Sequence, residues 1–405
     1  MKKSHKQASK TLRGIVKKSN KSRGFYVDDA KYDSQFKLGK KELFKAMPGD
    51  LVQFSLTQKG WAKIQRVISE NTNEFVGKIF KRGTRLYTSP MGYENDLRIS
   101  IKEPYPKTIK DGGIGKFVMH KQPKEDSLPE AKLIFLFDLD NEFSLAYEMA
   151  VTNHNLRREW PKSVMNESRK LKDKTFDTDL VIDLRDKVFV TIDGKSAKDF
   201  DDAVLGEKDE AGNYILYVAI ADVGRYIDIG SNLDKEAFDR GTSVYFSQRV
   251  IPMLPEELSN DLCSLKPNED RFCLVCKTKI DKDGNLSNTS FFEAVINSKS
   301  RLTYSTVSRE IEKNQYKRPY DNSLRILLEI YKRLKKNRVE RGSLELEVPS
   351  YIPKVENQKV TKFIDSPREI SHMMIEEFML AANISAAQLC INHKIPSVYR
   401  VHPKP

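Results

Sequence analysis

Between Val190 and Val204 the chain reads Val-Thr-Ile-Asp-Gly-Lys-Ser-Ala-Lys-Asp-Phe-Asp-Asp-Ala-Val, which sets Asp193, Asp199, Asp201 and Asp202 within ten positions of an apolar strand's end. Gly194 lets the chain turn at once, and the four carboxylates gather in one small volume. Carboxylates held this close repel and raise one another's pKa, so the cluster calls for a cation. Mg²⁺ suits it: the ion prefers oxygen ligands, takes few of them from carboxylates, and keeps positions for water and substrate phosphate. Mn²⁺ can stand in for it. Two such ions acidify a water and stabilise the leaving oxygen of a phosphodiester. Metal-dependent phosphodiester chemistry is therefore expected, with Asp193, Asp199, Asp201 and Asp202 both catalytic and metal-holding. The plainer alternative is a solvated acidic turn. A calcium loop counted from Asp199 would place Asp201 third and Glu210 twelfth, but Ala203 and Val204 occupy the fifth and sixth positions, where an oxygen ligand and a glycine belong. The sequence contains no G-x-S-x-G, G-x-G-x-x-G or H-E-x-x-H, and its six histidines pair with no suitable nucleophile.

Two other motifs are weaker. Cys273-Leu-Val-Cys276 has a metal-like spacing, yet it lies in an apolar run without a second pair, so a buried strand is expected. Gly112-Gly113-Ile114-Gly115-Lys116 fails the phosphate-loop spacing, with Phe117 in place of the hydroxyl, and reads as a turn between strands.

The elements that carry these residues fall into several domains. The chain has 405 residues, 39% of them hydrophobic and 31% charged, which is a globular composition with more than one core. A net charge of +13 favours a polyanionic partner. No apolar run approaches the roughly 18 residues of a membrane span, and no apolar segment follows the N-terminal lysines as in a secretory signal. No membrane association is expected. Four unevenly spaced cysteines agree with a reducing cytoplasm, and a monomer is expected.

Residues 1–23 hold nine Lys/Arg and no acid; the basic arm proper is set at 1–11. Short strands through 12–70 (Gly14–Val16, Gly24–Val27, Gly49–Phe54, Ala62–Val67) suggest a small β-barrel. In it Lys17, Lys18, Lys21 and Arg23 bracket Phe25 and Tyr26, placing cations for phosphates beside aromatic faces for bases. Either aromatic could instead be core, but alternation exposes at least one of them. Val76-Gly77-Lys78-Ile79 echoes Arg13-Gly14-Ile15-Val16 and opens a second barrel over 71–156. A polar linker with one helix is expected over 157–180. From 181 to 405 the texture is mixed α/β: strands at Val188–Ile192, Tyr214–Val223 and Cys273–Ile280, one helix through Leu324, Leu327, Leu328, Tyr331 and Leu334 ending at Gly342, and another through Ile375–Ala386.

Thr191–Ala203, with its T-I-D-x-x-x-A-K-D-F-D-D-A pattern, resembles the signature of the ribonuclease II/ribonuclease R (RNB) family of processive 3′→5′ exoribonucleases, nearer to its ribonuclease R branch. Further blocks follow in the family's order: Val218–Val223, Arg240–Tyr245, Ile251–Pro255, Leu262–Leu265, and Ile375–Met379 with Ala382-Asn383. The resemblance implies two N-terminal OB-fold/cold-shock barrels ahead of an RNB catalytic domain that hydrolyses single-stranded RNA to nucleoside 5′-monophosphates in RNA decay. It also implies catalytic, Mg²⁺-associated roles for Asp193, Asp199, Asp201 and Asp202. Tyr245 matches an aromatic that stacks on the 3′-terminal base, with Tyr351 as its partner. Tyr304 and one of Glu376 or Glu377 match residues that recognise the ribose 2′-hydroxyl. In the family a later Ser/Thr-Pro, Arg-Arg/Lys, Tyr/Phe and Asp block supplies an arginine to the reacting phosphate. Asp365-Ser366-Pro367-Arg368 only echoes it, so a frameshifted or partial product is expected, lacking the rest of the RNB domain and the S1 domain. The alternative function is a catalytically silent RNA-binding fragment.

Overall fold

The computed structural model describes residues 12–401 apart from 20–23, 30–33, 40–41, 43–44, 71–73, 94–96, 124–126, 140, 172–180, 248, 345–347, 358 and 367. The basic arm 1–11, Lys21, Arg23 and the distal part of the expected linker lie outside the described residues. The chain divides into two compact units, one of residues 1–156 with 353–362, the other of 157–352 with 363–405.

The first unit holds two closed five-stranded barrels. Strands β1 (Leu12–Lys18), β2 (Phe25–Asp29), β3 (Ser34–Leu38), β4 (Leu51–Leu56) and β5 (Ala62–Ser69) close in the order β1-β2-β3-β5-β4. Strands β6 (Glu74–Arg82), β7 (Arg85–Pro90), β8 (Ile99–Ile101), β9 (Ile114–Lys121) and β10 (Glu130–Leu136) close in the order β10-β8-β7-β6-β9. Renumbered within each barrel, the two orders are the same. The echo between Gly14 and Gly77 has a physical cause: each lies in the first strand of its barrel, where the second strand crosses too closely for a side chain. A Cβ on Gly14 would meet Asp28 O at 2.6 Å, and one on Gly77 would meet Ser89 O at 2.8 Å.

The first barrel corrects two expectations. β3 was not anticipated, because Ser34-Gln-Phe-Lys-Leu38 has too few apolar residues to stand out. Phe25 is not an exposed base platform: it is 4% exposed, belongs to the barrel core with Val16, Val27, Val52 and Phe54, and stacks on Tyr93 of the second barrel with centroids 5.9 Å apart. Alternation turns its neighbour Tyr26 outward and half-buried. Lys17 is outward too, but forms an ion pair with Asp28 at 2.5 Å, and Lys18 donates to Gly92 O with its ammonium 5.0 Å from the Tyr93 ring centroid. In the second barrel Gly112 does lie in a turn before β9. Helix α1 (Glu142–Asn153) then packs on β6, capped by Asn141 Oδ1 accepting from Ser144 N at 2.9 Å.

The second unit opens on helix α2 (Lys162–Lys170), which packs on α3 (Asn232–Arg240) and buries Val164. The Arg240 guanidinium lies 3.5 Å from the Trp160 ring centroid. The described part of the expected linker is thus built into this unit's core. Its centre is a seven-stranded mixed sheet of β11 (Ile182–Asp183), β12 (Val190–Asp193), β13 (Asp202–Lys208), β14 (Tyr214–Ala221), β17 (Asp270–Ile280), β18 (Leu286–Asn297) and β19 (Ser300–Thr303), in the order β11-β18-β17-β14-β13-β12-β19. The short strands β15 (Val244–Tyr245) and β16 (Val250–Ile251) form a separate pair. One face of the main sheet buries Phe189, Phe200, Leu205 and Tyr217 with residues of α2 and α3. The other packs under α4 (Tyr304–Glu312), α5 (Asp321–Glu340) and α6 (Ile370–Asn392) through Val218, Leu324, Leu327 and Phe378. Strands β20 (Tyr351–Glu356) and β21 (Lys359–Asp365) make a two-stranded sheet before α6, and its residues 353–362 group with the first unit.

Cys273 and Cys276, both buried on β17, fall on opposite faces of the sheet, so they cannot share a metal. By length and composition α6 is long and apolar enough to cross a membrane, which a search for unbroken apolar runs does not flag. Here it buries Met374, Ile375, Phe378 and Ala381 against the sheet.

Candidate active site

The acidic loop leaves the end of β12 and returns as β13, so the central sheet itself delivers Asp193 and Asp202 at two strand ends. Between them the backbone is tied down at several points. Ala197 N donates to Gly194 O at 3.1 Å, Phe200 N to Ser264 Oγ at 3.0 Å, and Leu265 N to Phe200 O at 2.9 Å. Ser264 Oγ donates in turn to Lys198 O at 2.9 Å, and the Phe200 ring anchors the loop in the core. Arg301, opposite Thr191 in the parallel β12–β19 register, donates through Nη2 to Gly194 O at 2.5 Å and Lys195 O at 2.9 Å, its guanidinium 5.5 Å from the Phe200 ring centroid.

The electrostatics follow from this crowding. Burial, then repulsion from Asp202, lifts the Asp193 carboxyl to about 7, against the opposing pull of Arg301. Burial and the charge of Asp201 raise Asp202 to about 6, and burial with Asp199 raises Asp201 as well. Asp193 Oδ2 is buried and has no hydrogen-bond partner. A hard cation answers each of these features, and an all-oxygen donor set fits Mg²⁺. Among the described residues no three acidic, cysteine or histidine side chains already stand in coordinating geometry, so an ion would have to draw the carboxylates together.

Two tyrosines border the cluster. Tyr245, on β15, is 63% exposed and donates its hydroxyl to Asp199 Oδ2 at 3.1 Å. Tyr304, at the start of α4, has its pKa raised by burial and then by the charges of Asp193 and Asp202. Its ring stacks on His372 of α6 with centroids 3.8 Å apart, and Ser371 Oγ donates to its carbonyl at 2.9 Å. The two glutamates part company. Glu377 is 4% exposed and forms an ion pair with Arg338 of α5 at 2.6 Å, whereas Glu376 is solvent-facing and paired with Arg368. Packing thus occupies Glu377, and Glu376 keeps the more open side chain. Tyr351 is exposed at the start of β20, with no described contact to the aspartates. Ser264 lies inside the Leu262–Leu265 block and Arg301 three residues before Tyr304, yet only the folded loop shows what they hold. Nothing in the sequence signals the His372–Tyr304 stack.

The chain is a multidomain protein with paired OB-fold/cold-shock barrels ahead of a mixed α/β domain whose strand ends present an acidic cluster. The RNB domain model matches residues 181–405, and the chain belongs to that family. Ribonuclease R of Vibrio parahaemolyticus is 38% identical over 355 residues, covering 85% of this chain and 42% of that protein. Ribonuclease R of Escherichia coli is 37% identical, covering 85% and 43%. The chain thus spans less than half the length of these curated relatives. The structure of Mycoplasma genitalium RNase R in its apo form superposes with a TM-score of 0.85 at 25% identity, covering 97% of this chain and 64% of that one. The same protein has been solved in complex with ribose methylated single-stranded RNA.

Proposed function

We propose that this chain is a metal-dependent 3′→5′ exoribonuclease: the barrels gather single-stranded RNA, and the RNB domain hydrolyses it from the 3′ end to nucleoside 5′-monophosphates. The observation that carries this reading is the acidic loop, with an orphaned buried oxygen on Asp193 and raised carboxyl pKa values at Asp193, Asp201 and Asp202. Asp193, Asp199, Asp201 and Asp202 would hold Mg²⁺, or Mn²⁺ in its place. When bound, such ions supply a more acidic water and charge stabilisation at the leaving oxygen. The chain's own residues do the rest. The exposed Tyr245 ring, steadied through its hydroxyl by Asp199, offers a face on which the 3′-terminal base can stack. Tyr304, beside Asp193 and Asp202, and the outward Glu376 suit a ribose hydroxyl, the group that separates RNA from DNA. Arg301 and Ser264 keep the loop in shape.

The relatives named ribonuclease R, and the Mycoplasma protein solved with single-stranded RNA, support the substrate class. Four free thiols suit a cytoplasmic protein, and a monomer completes the reading. The test is single-stranded RNA labelled at its 3′ end and incubated with Mg²⁺. Labelled mononucleotide released from the first time point supports the reading. Internal cuts, or no release at all, overturn it.

A further inference from the structure

Burial of Phe25 removes the aromatic face that the first barrel's sequence offers to a base, and another takes its place. Trp61, at the head of β5, is 39% exposed. The turn before it is built to hold it there: Thr57 N donates to Trp61 O at 2.8 Å, Trp61 N to Thr57 Oγ1 at 3.1 Å, and Gly60, at φ +73°, closes the bend by donating to Thr57 O at 2.9 Å. A cavity of about 510 Å³ opens beside the ring, lined by Gly39, Glu42, Gln58, Lys59 and Lys63. Its single acid does not repel an anion freely, because Glu42 accepts from Ile64 N at 2.8 Å and pairs with Lys45 at 3.5 Å.

The strand register extends this corner into a row. Lys17 pairs across with Tyr26, Tyr26 with Lys37, and the parallel Leu38/Ala62 pairing brings Lys37 beside Trp61, with its ammonium 4.6 Å from the ring centroid. Cation, aromatic, cation and aromatic thus alternate over four neighbouring strands, about 5 Å apart. A strand of RNA presents the complementary sequence of groups, phosphates for ammonium ions and bases for rings.

We propose that Trp61 is a base-stacking subsite of the first barrel, taking one unpaired nucleobase of a single-stranded RNA whose phosphates lie along Lys37, Lys59 and Lys63. The subsite rests on the RNA-binding part of the proposed function and adds the residue that grips the base. Stacking on an aromatic is worth roughly 1–3 kcal/mol per base, so losing the ring should weaken binding about tenfold. Stacking releases no counterion, whereas each lysine on a phosphate contributes about 0.7 to the salt slope of a single strand.

The experiment is a titration of the full chain with a single-stranded oligouridylate in excess chelator, at several salt concentrations. Trp61→Leu should bind about tenfold more weakly with an unchanged salt slope, and Lys37→Gln should bind more weakly with a slope shallower by about 0.7. The chain has two tryptophans, so in a Trp160→Phe background the emission of Trp61 alone should change on saturation. Binding by Trp61→Leu within twofold of the parent, or an emission indifferent to RNA, overturns the subsite while leaving RNA binding by the chain intact. Absence of binding by the parent chain overturns both readings.

Discussion

Asp193 and Asp202 are held at pKa values of about 7 and about 6, well above an ordinary aspartate, and the protein itself bears that strain. Between roughly pH 4 and 7 the folded chain keeps protons that the unfolded chain has lost, so stability falls as pH rises through that window. Asp183, held at about 2 by Arg185, titrates below it and does not blur the effect. In chelator the thermal midpoint of the second unit should therefore drop between pH 5 and pH 8, Mg²⁺ should restore it at pH 8, and Asp193→Asn should flatten the drop. A midpoint indifferent to pH and to Mg²⁺ would count against a strained cation site. The glutamates make a second case. Glu377→Gln breaks a buried ion pair with Arg338 and should cost about 2–3 kcal/mol in denaturant unfolding, while Glu376→Gln should stay within about 0.5 kcal/mol and instead weaken discrimination of RNA from DNA. The crowding of the aspartates was legible in the sequence because Gly194 turns the chain directly after a strand and sets four carboxylates close together. Adjacent glutamates on a helix were not separable, since only packing against α5 decides which of them is buried.

At the scale of elements, apolar runs and internal echoes were readable, and weakly patterned segments were not. The paired barrels follow from the Gly14/Gly77 echo, and β12, β14 and β17 from runs such as Val190–Ile192. β3 escaped because Gln35 and Lys37 dilute its pattern, and α1 because it falls within 71–156, which reads as barrel. Cys273 and Cys276 show how register settles a motif: a spacing of three in a strand sends the side chains to opposite faces. Helix α5 depends on a close approach that no pattern announces. Gly206 of β13 lies beneath it, and an added Cβ would meet Ile326 Cγ2 at 2.9 Å and Leu327 N at 3.0 Å. Gly206→Ala should thus destabilise the chain by about 1–3 kcal/mol by pushing α5 off the sheet, read as a lower unfolding midpoint with RNA binding by the barrels retained. An unchanged midpoint would mean that α5 yields at no cost.

In the proposed function of the whole molecule a basic pair of barrels binds RNA through charge and ring faces, and a sheet whose strand ends present carboxylates cleaves it. A net charge of +13 pointed to a polyanion, and the acidic loop is a local exception to that charge. In the proposed function hydrolysis belongs to this loop and its ion while binding belongs to the barrels, so the two functions should separate. The most direct measurement is mononucleotide release and RNA affinity recorded together, for the parent chain across a Mg²⁺ titration and for Asp202→Asn. Release should rise with Mg²⁺, vanish in chelator and be lost in Asp202→Asn, with affinity for single-stranded RNA kept within about twofold. Undiminished release in chelator, or from Asp202→Asn, would contradict the proposed function.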